Sequence, residues 1–174
     1  MNSHKIKTLI TKERIQERIA ELSKEIQKDF EGRDPLIVSI LKGSFVFCSD
    51  LIRHLNPEYK VDFIMVKSYI GTQSSGEVKI ISDVKTNIEG KDILIVDDIA
   101  DTGVTIDFLR KTFLERGASS VKVCVLLDKK DRRVVDTSVE YKCFDIPNYF
   151  IVGFGLDYND LYRGLPFVGI LEQI

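Results

Sequence analysis

Three short runs of consecutive apolar residues constrain this chain most: LIVSIL (36–41), ILIV (93–96) and VKVCVLL (121–127). A strand with one wet face alternates apolar and polar residues. These runs are instead rich in β-branched types and nearly uninterrupted, so they read as strands covered on both faces. Between them lie segments of helical spacing. Phe45 to Leu55 follows the first run; Ile106, Leu109, Arg110, Phe113 and Leu114, closed by Gly117, follow the second. Strands alternating with helices give an α/β fold, a mainly parallel, twisted sheet flanked by helices. Further strands are expected at 61–69, 78–84, 150–155 and 168–171, with a flexible loop, GTQSSGE, at 71–77. Upstream, Ile15, Ile19, Leu22, Ile26 and Phe30 make one apolar stripe on a helix over 12–30, with Thr11 placed to cap it and Gly32 to end it. That helix is the one element expected in the first 35 residues.

Composition narrows the functional classes. A chain of 174 residues can bury roughly 70% of its unfolded surface, enough for a core without disulfides and ordinary for one domain. With 44% hydrophobic and 30% charged residues it is no disordered chain. Its 25 basic and 27 acidic residues leave a formal charge of −2, so a nucleic-acid partner is not expected. Cys48, Cys124 and Cys143 are far apart and form no CxxC pair, which argues against zinc and disulfides and for a reducing cytoplasm. The N-terminal segment MNSHKIKTLITKERI has no apolar signal core, and the uncharged stretch 146–156 is well short of the ~20 residues that span a membrane. A cytoplasmic protein with no membrane partner is expected.

The three buried runs end abruptly, in Lys42-Gly43-Ser44, in Asp97-Asp98 and in Asp128-Lys129-Lys130. In open α/β sheets ligands bind beyond the carboxyl ends of strands, so these residues mark the candidate site. Asp97 and Asp98 are adjacent carboxylates at a partly desolvated strand end, where like charges need a cationic or hydroxylated partner. A metal-bound sugar diol meets both needs. Asp101-Thr102-Gly103-Val104-Thr105 then enters a helix. A glycine and two hydroxyls at a helix N-terminus make a phosphate cradle, since exposed amides and the helix dipole both favour an anion. Carboxylates for a ribose beside amides for its phosphate point to a ribose 5-phosphate site. A purely structural reading also suits these residues, with Asp98 or Asp101 as a helix cap, Gly103 as a turn residue and Lys42 as a surface cation.

The segment IVDDIADTGVT (95–105) resembles the phosphoribosyl-diphosphate signature of type I phosphoribosyltransferases. LKGS (41–44), SYIGTQSSGEVKI (68–80), LLDKKDRR (126–133) and IPNYFIVGFGLDYNDLYR (146–163) are similar, in order and spacing, to hypoxanthine-guanine phosphoribosyltransferases from about Leu36 onward. The resemblance implies a single domain over 1–174, with a core at about 36–145, a small hood from the N- and C-terminal segments, and a mobile lid loop at about 68–78. It implies transfer of a phosphoribosyl group from 5-phosphoribosyl 1-diphosphate to hypoxanthine or guanine, through an oxocarbenium-like transition state, with magnesium and as a homodimer or homotetramer. Some proteins of this fold are regulators that only sense phosphoribosyl diphosphate, which is the alternative.

By the same resemblance, Asp97 and Asp98 would hold the ribose hydroxyls, directly or through magnesium; the family usually carries Glu at the first position. Asp101 would be the general base beside purine N7. Asp101, Thr102, Gly103, Val104 and Thr105 would hold the 5′-phosphate. Lys42 and Gly43 would bind pyrophosphate through backbone amides, after a Leu41–Lys42 peptide bond that can be cis. Arg163 would contact pyrophosphate, and Asp157 would sit near it on a second magnesium. Lys129 would donate to the purine 6-oxo group, Phe150 would stack on the base and Ile151 would offer it backbone groups. Ser68 and Tyr69 would close the lid, and Arg133 is a further candidate with a structural reading at a subunit interface. Taken without the resemblance, Phe150 and Ile151 are core strand residues, Arg163 is a surface arginine and 68–77 is a plain hairpin loop.

Overall fold

The computed structural model describes residues 5–71 and 74–172, and of 68–71 and 74–77 only the backbone. The central sheet is built as the apolar runs require. Its strands, in chain order, are β2 (Leu36–Leu41), β3 (Lys60–Gly71), β4 (Ser74–Ser82), β5 (Asp92–Ala100), β6 (Ser120–Asp128) and β7 (Tyr141–Asp145). Their spatial order is β4-β3-β2-β5-β6-β7, parallel throughout except for the antiparallel pairing of β3 with β4. The strand β1 (Lys5–Ile10) and helix α1 (Lys12–Asp29) precede it, α2 (Phe45–Ile52) connects β2 to β3, and α3 (Val104–Glu115) connects β5 to β6.

Side-chain alternation along the central strands divides the core in two. Ile37, Leu94, Val96, Cys124 and Leu126 face α1 and α2, against Ile15, Ile19, Leu22, Phe47 and Leu51. Leu36, Val38, Ile40, Ile93, Ile95, Val123 and Val125 face the other way, onto Ile106, Leu109 and Phe113 of α3. Because both faces are covered, the strand sequences are continuously apolar. Thr11 caps α1 as expected, its side chain accepting the Arg14 N–H at 3.3 Å. Phe30 is the C-terminal cap, and Gly32 follows in a left-handed turn at φ 73°.

The chain turns one way from β2 to β3 and the other way from β5 to β6, so β2 and β5 flank the point where the strand order reverses. The loops leaving these two strands are Lys42-Gly43-Ser44 and Asp101 to Gly103. Beside them lies a second, antiparallel sheet in the order β1-β9-β8, formed with β8 (Ile151–Val152) and β9 (Val168–Glu172). Ile6 pairs with Leu171, and Ile151 with Ile170. Among the described residues no helix is long and apolar enough to cross a membrane.

Several expectations need correction. The first 35 residues contribute β1 as well as a helix. The strand expected over 150–155 is reduced to Ile151–Val152, because Gly153, Phe154 and Gly155 take positive φ values of 95°, 49° and 101°. The flexible loop expected at 71–77 is mostly hairpin: β3 runs to Gly71 and β4 starts at Ser74. Ser68 and Tyr69 pair through the backbone with Val78 and Glu77, while their side chains, and with them the lid assignment, lie outside the described residues. Finally, β5 continues through Asp97 and Asp98 to Ala100, so the acidic pair belongs to the strand itself.

Candidate active site

Gly43 is fixed by contact on two sides. A Cβ there would overlap the Asp98 carboxylate, and a Cβ on Gly155 would overlap the Gly43 carbonyl. The loop of β2 is thereby pressed between the acidic pair and the turn after β8. The Leu41–Lys42 peptide bond is cis. Behind it, the buried Ser44 hydroxyl donates to the Ile40 carbonyl at 2.5 Å and lies 2.6 Å from the Ser39 hydroxyl.

Asp97 and Asp98 are partly buried, and the Asp98 N–H donates to Asp97 Oδ1 at 2.9 Å. Burial, then the neighbouring Asp98 charge, pushes the Asp97 carboxyl well above the usual range. Burial also raises Asp98, while the hydrogen bond with Asp97 and the Arg163 charge act against the rise. The two therefore compete for charge in a setting that penalises it. Paired hard oxygens short of positive charge suit magnesium, which binds through one or two carboxylates and completes its shell with substrate oxygens and water.

The 101–105 loop is braced from behind. Lys129 N–H donates to the Ala100 carbonyl at 2.9 Å, and Val134 and Val135 N–H donate to that of Thr102 at 3.0 and 3.2 Å. Gly103 sits at φ 84°, and a Cβ there would meet Arg133 Cδ at 2.7 Å and the Val135 carbonyl at 2.9 Å. Gly103 is the N-terminal cap of α3 and has no side chain to satisfy the first-turn amides. Asp97, Asp101, Thr102, Gly103 and Thr105 line a cleft of about 80 Å³ at that helix start. Uncapped amides facing a small polar cleft are suited to an anion. Val104 opens the helix, and its N–H reaches Thr102 Oγ1 at 3.5 Å.

Asp101 has one oxygen, Oδ1, buried and without a hydrogen bond, 3.0 Å from Arg132 Nε. The Arg132 charge thus meets the carboxylate to which the family resemblance gives the general-base role, a contact nothing in the sequence pattern signals. Arg133 turns away, pairing with buried Asp128 at 2.5 Å and reaching the Asp101 carbonyl at 3.5 Å, which gives it a bracing role within the chain. Lys129 is 6% exposed and donates to the Tyr149 carbonyl at 2.7 Å. Burial lowers its pKa, Asp101 opposes the shift and Arg132 adds to it. Lys129, Asp101 and Arg132 thus form one electrostatic unit.

Phe150 is 55% exposed and meets Tyr158 edge-on at 5.5 Å between ring centroids, so it is not the core residue its strand context suggests. Ile151 is buried in the small sheet. Arg163 Nη2 lies 2.7 Å from Asp157 Oδ1, and Nη1 donates to the Gly155 carbonyl at 2.8 Å. The structure therefore gathers the Lys42 loop, the acidic pair and the 101–105 loop at the carboxyl end of the two central strands, with Arg163 acting on Asp98 and Lys129 acting with Asp101. Sequence reasoning missed Arg132 and Asp160; the latter reaches both Lys42 and Arg163.

The phosphoribosyl transferase domain model matches residues 6–159. A hypoxanthine-guanine phosphoribosyltransferase of Streptococcus thermophilus is 50% identical over 168 residues, covering 96% of this chain and 93% of the relative. Among solved structures, a hypoxanthine-guanine phosphoribosyltransferase from Bacillus anthracis superimposes with a TM-score of 0.91 at 43% identity, covering 98% of this chain and 100% of that one. A hypoxanthine phosphoribosyltransferase from Staphylococcus aureus gives 0.92 at 42% identity, covering 99% and 96%. Fold, signature loop and near-full-length identity agree: the chain belongs to the phosphoribosyltransferases, among the hypoxanthine-guanine phosphoribosyltransferases.

Proposed function

We propose that this protein joins hypoxanthine or guanine to 5-phosphoribosyl 1-diphosphate, releasing pyrophosphate and the purine nucleotide, as a purine-salvage enzyme. The observation that carries this reading is the meeting of Asp97, one of a charge-strained acidic pair, with an uncapped helix start in one cleft, while its neighbour Asp98 packs against Gly43. The first-turn amides of α3 and the hydroxyls of Thr102 and Thr105 take the 5′-phosphate. Asp97 and Asp98 take the ribose hydroxyls and would hold magnesium, which when bound neutralises charge on the diphosphate leaving group. The backbone of Lys42 and Gly43, with Arg163, orients the pyrophosphate, and Asp157 fixes Arg163.

Asp101 takes the N7 proton as the bond to the sugar forms. Its Oδ1 is occupied by Arg132, so the accessible part of the carboxylate is the part that meets the base. Lys129 selects the base: an ammonium donor is matched by a 6-oxo acceptor and mismatched by the amino group of adenine. Phe150 offers an exposed ring for stacking, and Ile151 lends backbone groups at the purine edge. Assembly as a homodimer or homotetramer belongs to the same reading.

The test is a product assay with magnesium, phosphoribosyl diphosphate and each of hypoxanthine, guanine, xanthine, adenine and uracil. Nucleotide from hypoxanthine or guanine with adenine inert is expected. Phosphoribosyl diphosphate binding with no nucleotide from any base would instead indicate a regulator. Asp101→Asn should keep phosphoribosyl diphosphate binding and lose about 10²–10⁴-fold in turnover, the usual range for a general base. Near-unchanged turnover at saturating substrates would overturn the assignment.

A further inference from the structure

Tyr158 and Leu161 exchange backbone hydrogen bonds at 3.1 and 3.0 Å around two central residues, Asn159 and Asp160, with φ of 51° and 60°. Two positive φ values in a two-residue loop define a type I′ turn, whose second central position is normally glycine. Here it carries an aspartate. Asn and Asp tolerate the left-handed region at some cost, so the carboxylate at this position calls for a reason. Its surroundings supply one. Asp160 Oδ1 lies 3.3 Å from Arg163 Nη2 and 3.6 Å from Lys42 Nζ, and its backbone N–H donates to Asp157 Oδ2 at 2.8 Å. The turn thus holds an anionic group between two cations. One comes from the loop after β2 and the other from the segment assigned to pyrophosphate.

We infer that Asp160 is an internal counter-ion that competes with pyrophosphate for Lys42 and Arg163, and so speeds product release. The inference rests on the proposed pyrophosphate site. A carboxylate in this position orients the two cations without neutralising them fully, because Lys42 and Asp160 are 65% and 75% exposed and such ion pairs are weak. A multiply charged diphosphate can displace it. When the reaction frees pyrophosphate, Asp160 offers the cations an alternative partner and repels the leaving anion. Asp160 is thereby a positioning residue. Its role also gives the Lys42 side chain a function separate from the backbone amides of its loop.

The test is calorimetric titration of magnesium pyrophosphate into the wild-type protein and into Asp160→Asn, Asp160→Glu and Asp160→Gly, together with kcat and KM for both substrates. Asn and Gly both suit the turn, so these variants should fold. Asn and Gly should bind pyrophosphate about three- to tenfold more tightly, the scale of one exposed charge contact. They should also show stronger pyrophosphate inhibition with an unchanged KM for the purine, while Glu restores wild-type behaviour. Equal or weaker pyrophosphate binding in Asn and Gly, with normal binding by the wild type, overturns the counter-ion role alone. No pyrophosphate binding by the wild type overturns the site reading and, with it, this inference.

Discussion

Asp97 and Asp98 carry a charge conflict that sets how the ligand-free protein should respond to pH. Their proton affinity in the folded chain exceeds that of an unfolded aspartate. Above the unfolded pKa of about 3.9 the folded state then binds more protons than the unfolded one. The pair's contribution is most favourable below that value and declines as pH rises towards the raised folded value. Asp97→Asn should therefore stabilise the ligand-free protein at neutral pH by on the order of 1 kcal/mol while lowering turnover. Denaturant melts at pH 5 and pH 8 check it; a variant less stable than wild type at pH 8 would refute the conflict. Lys129 works in the opposite sense. Its lowered pKa means that the ammonium is lost at a lower pH than an ordinary lysine would lose it, so turnover should fall on the alkaline side. In Lys129→Gln that alkaline limb should vanish from the kcat/KM profile. Asp97 and Lys129 were legible in the sequence because each follows closely on a buried apolar run. Arg132 and Asp160 were not, since their partners are set by how loops from separate strands fold against one another.

At the scale of elements, the sequence is most informative where burial is complete. β2, β5 and β6 lie between two layers of helix, and their apolar runs follow from that. β1 and β7, which read KIKTLI and YKCFD, sit at sheet edges and mix charged with apolar residues, so their sequences carry little strand signal. β8 is cut short by backbone that only its tertiary contacts require: a Cβ on Gly153 would overlap the Phe167 carbonyl. The loop entering α3 makes a testable case of the same kind. Gly103→Ala would place a methyl at φ 84° against Arg133 and Val135. A destabilisation of about 1–3 kcal/mol is expected, with weaker phosphoribosyl diphosphate binding than purine binding. Thermal melts and separate KM values for the two substrates would measure it, and an unchanged melting temperature would contradict the packing argument.

For the whole molecule, the proposed function divides the site between the central sheet, on the phosphoribosyl side, and the small sheet, on the purine side. β9 is the middle strand of the latter, pairing with β1 on one side and β8 on the other. A chain ending at Phe167 should unfold cooperatively at a lower temperature and lose nucleotide formation; calorimetry and the product assay on that truncation test the division. Normal turnover in the truncated chain would refute it. The arrangement also has a consequence for synthesis. On the ribosome β1 emerges before the other described elements, yet among the described residues its strand partner is β9, about 160 residues later. The strands and helices between can assemble while β1 waits with its edge unsatisfied. Catalytic competence should therefore arrive only after β9 has been made and has docked, and a nascent chain without β9 should not consume phosphoribosyl diphosphate.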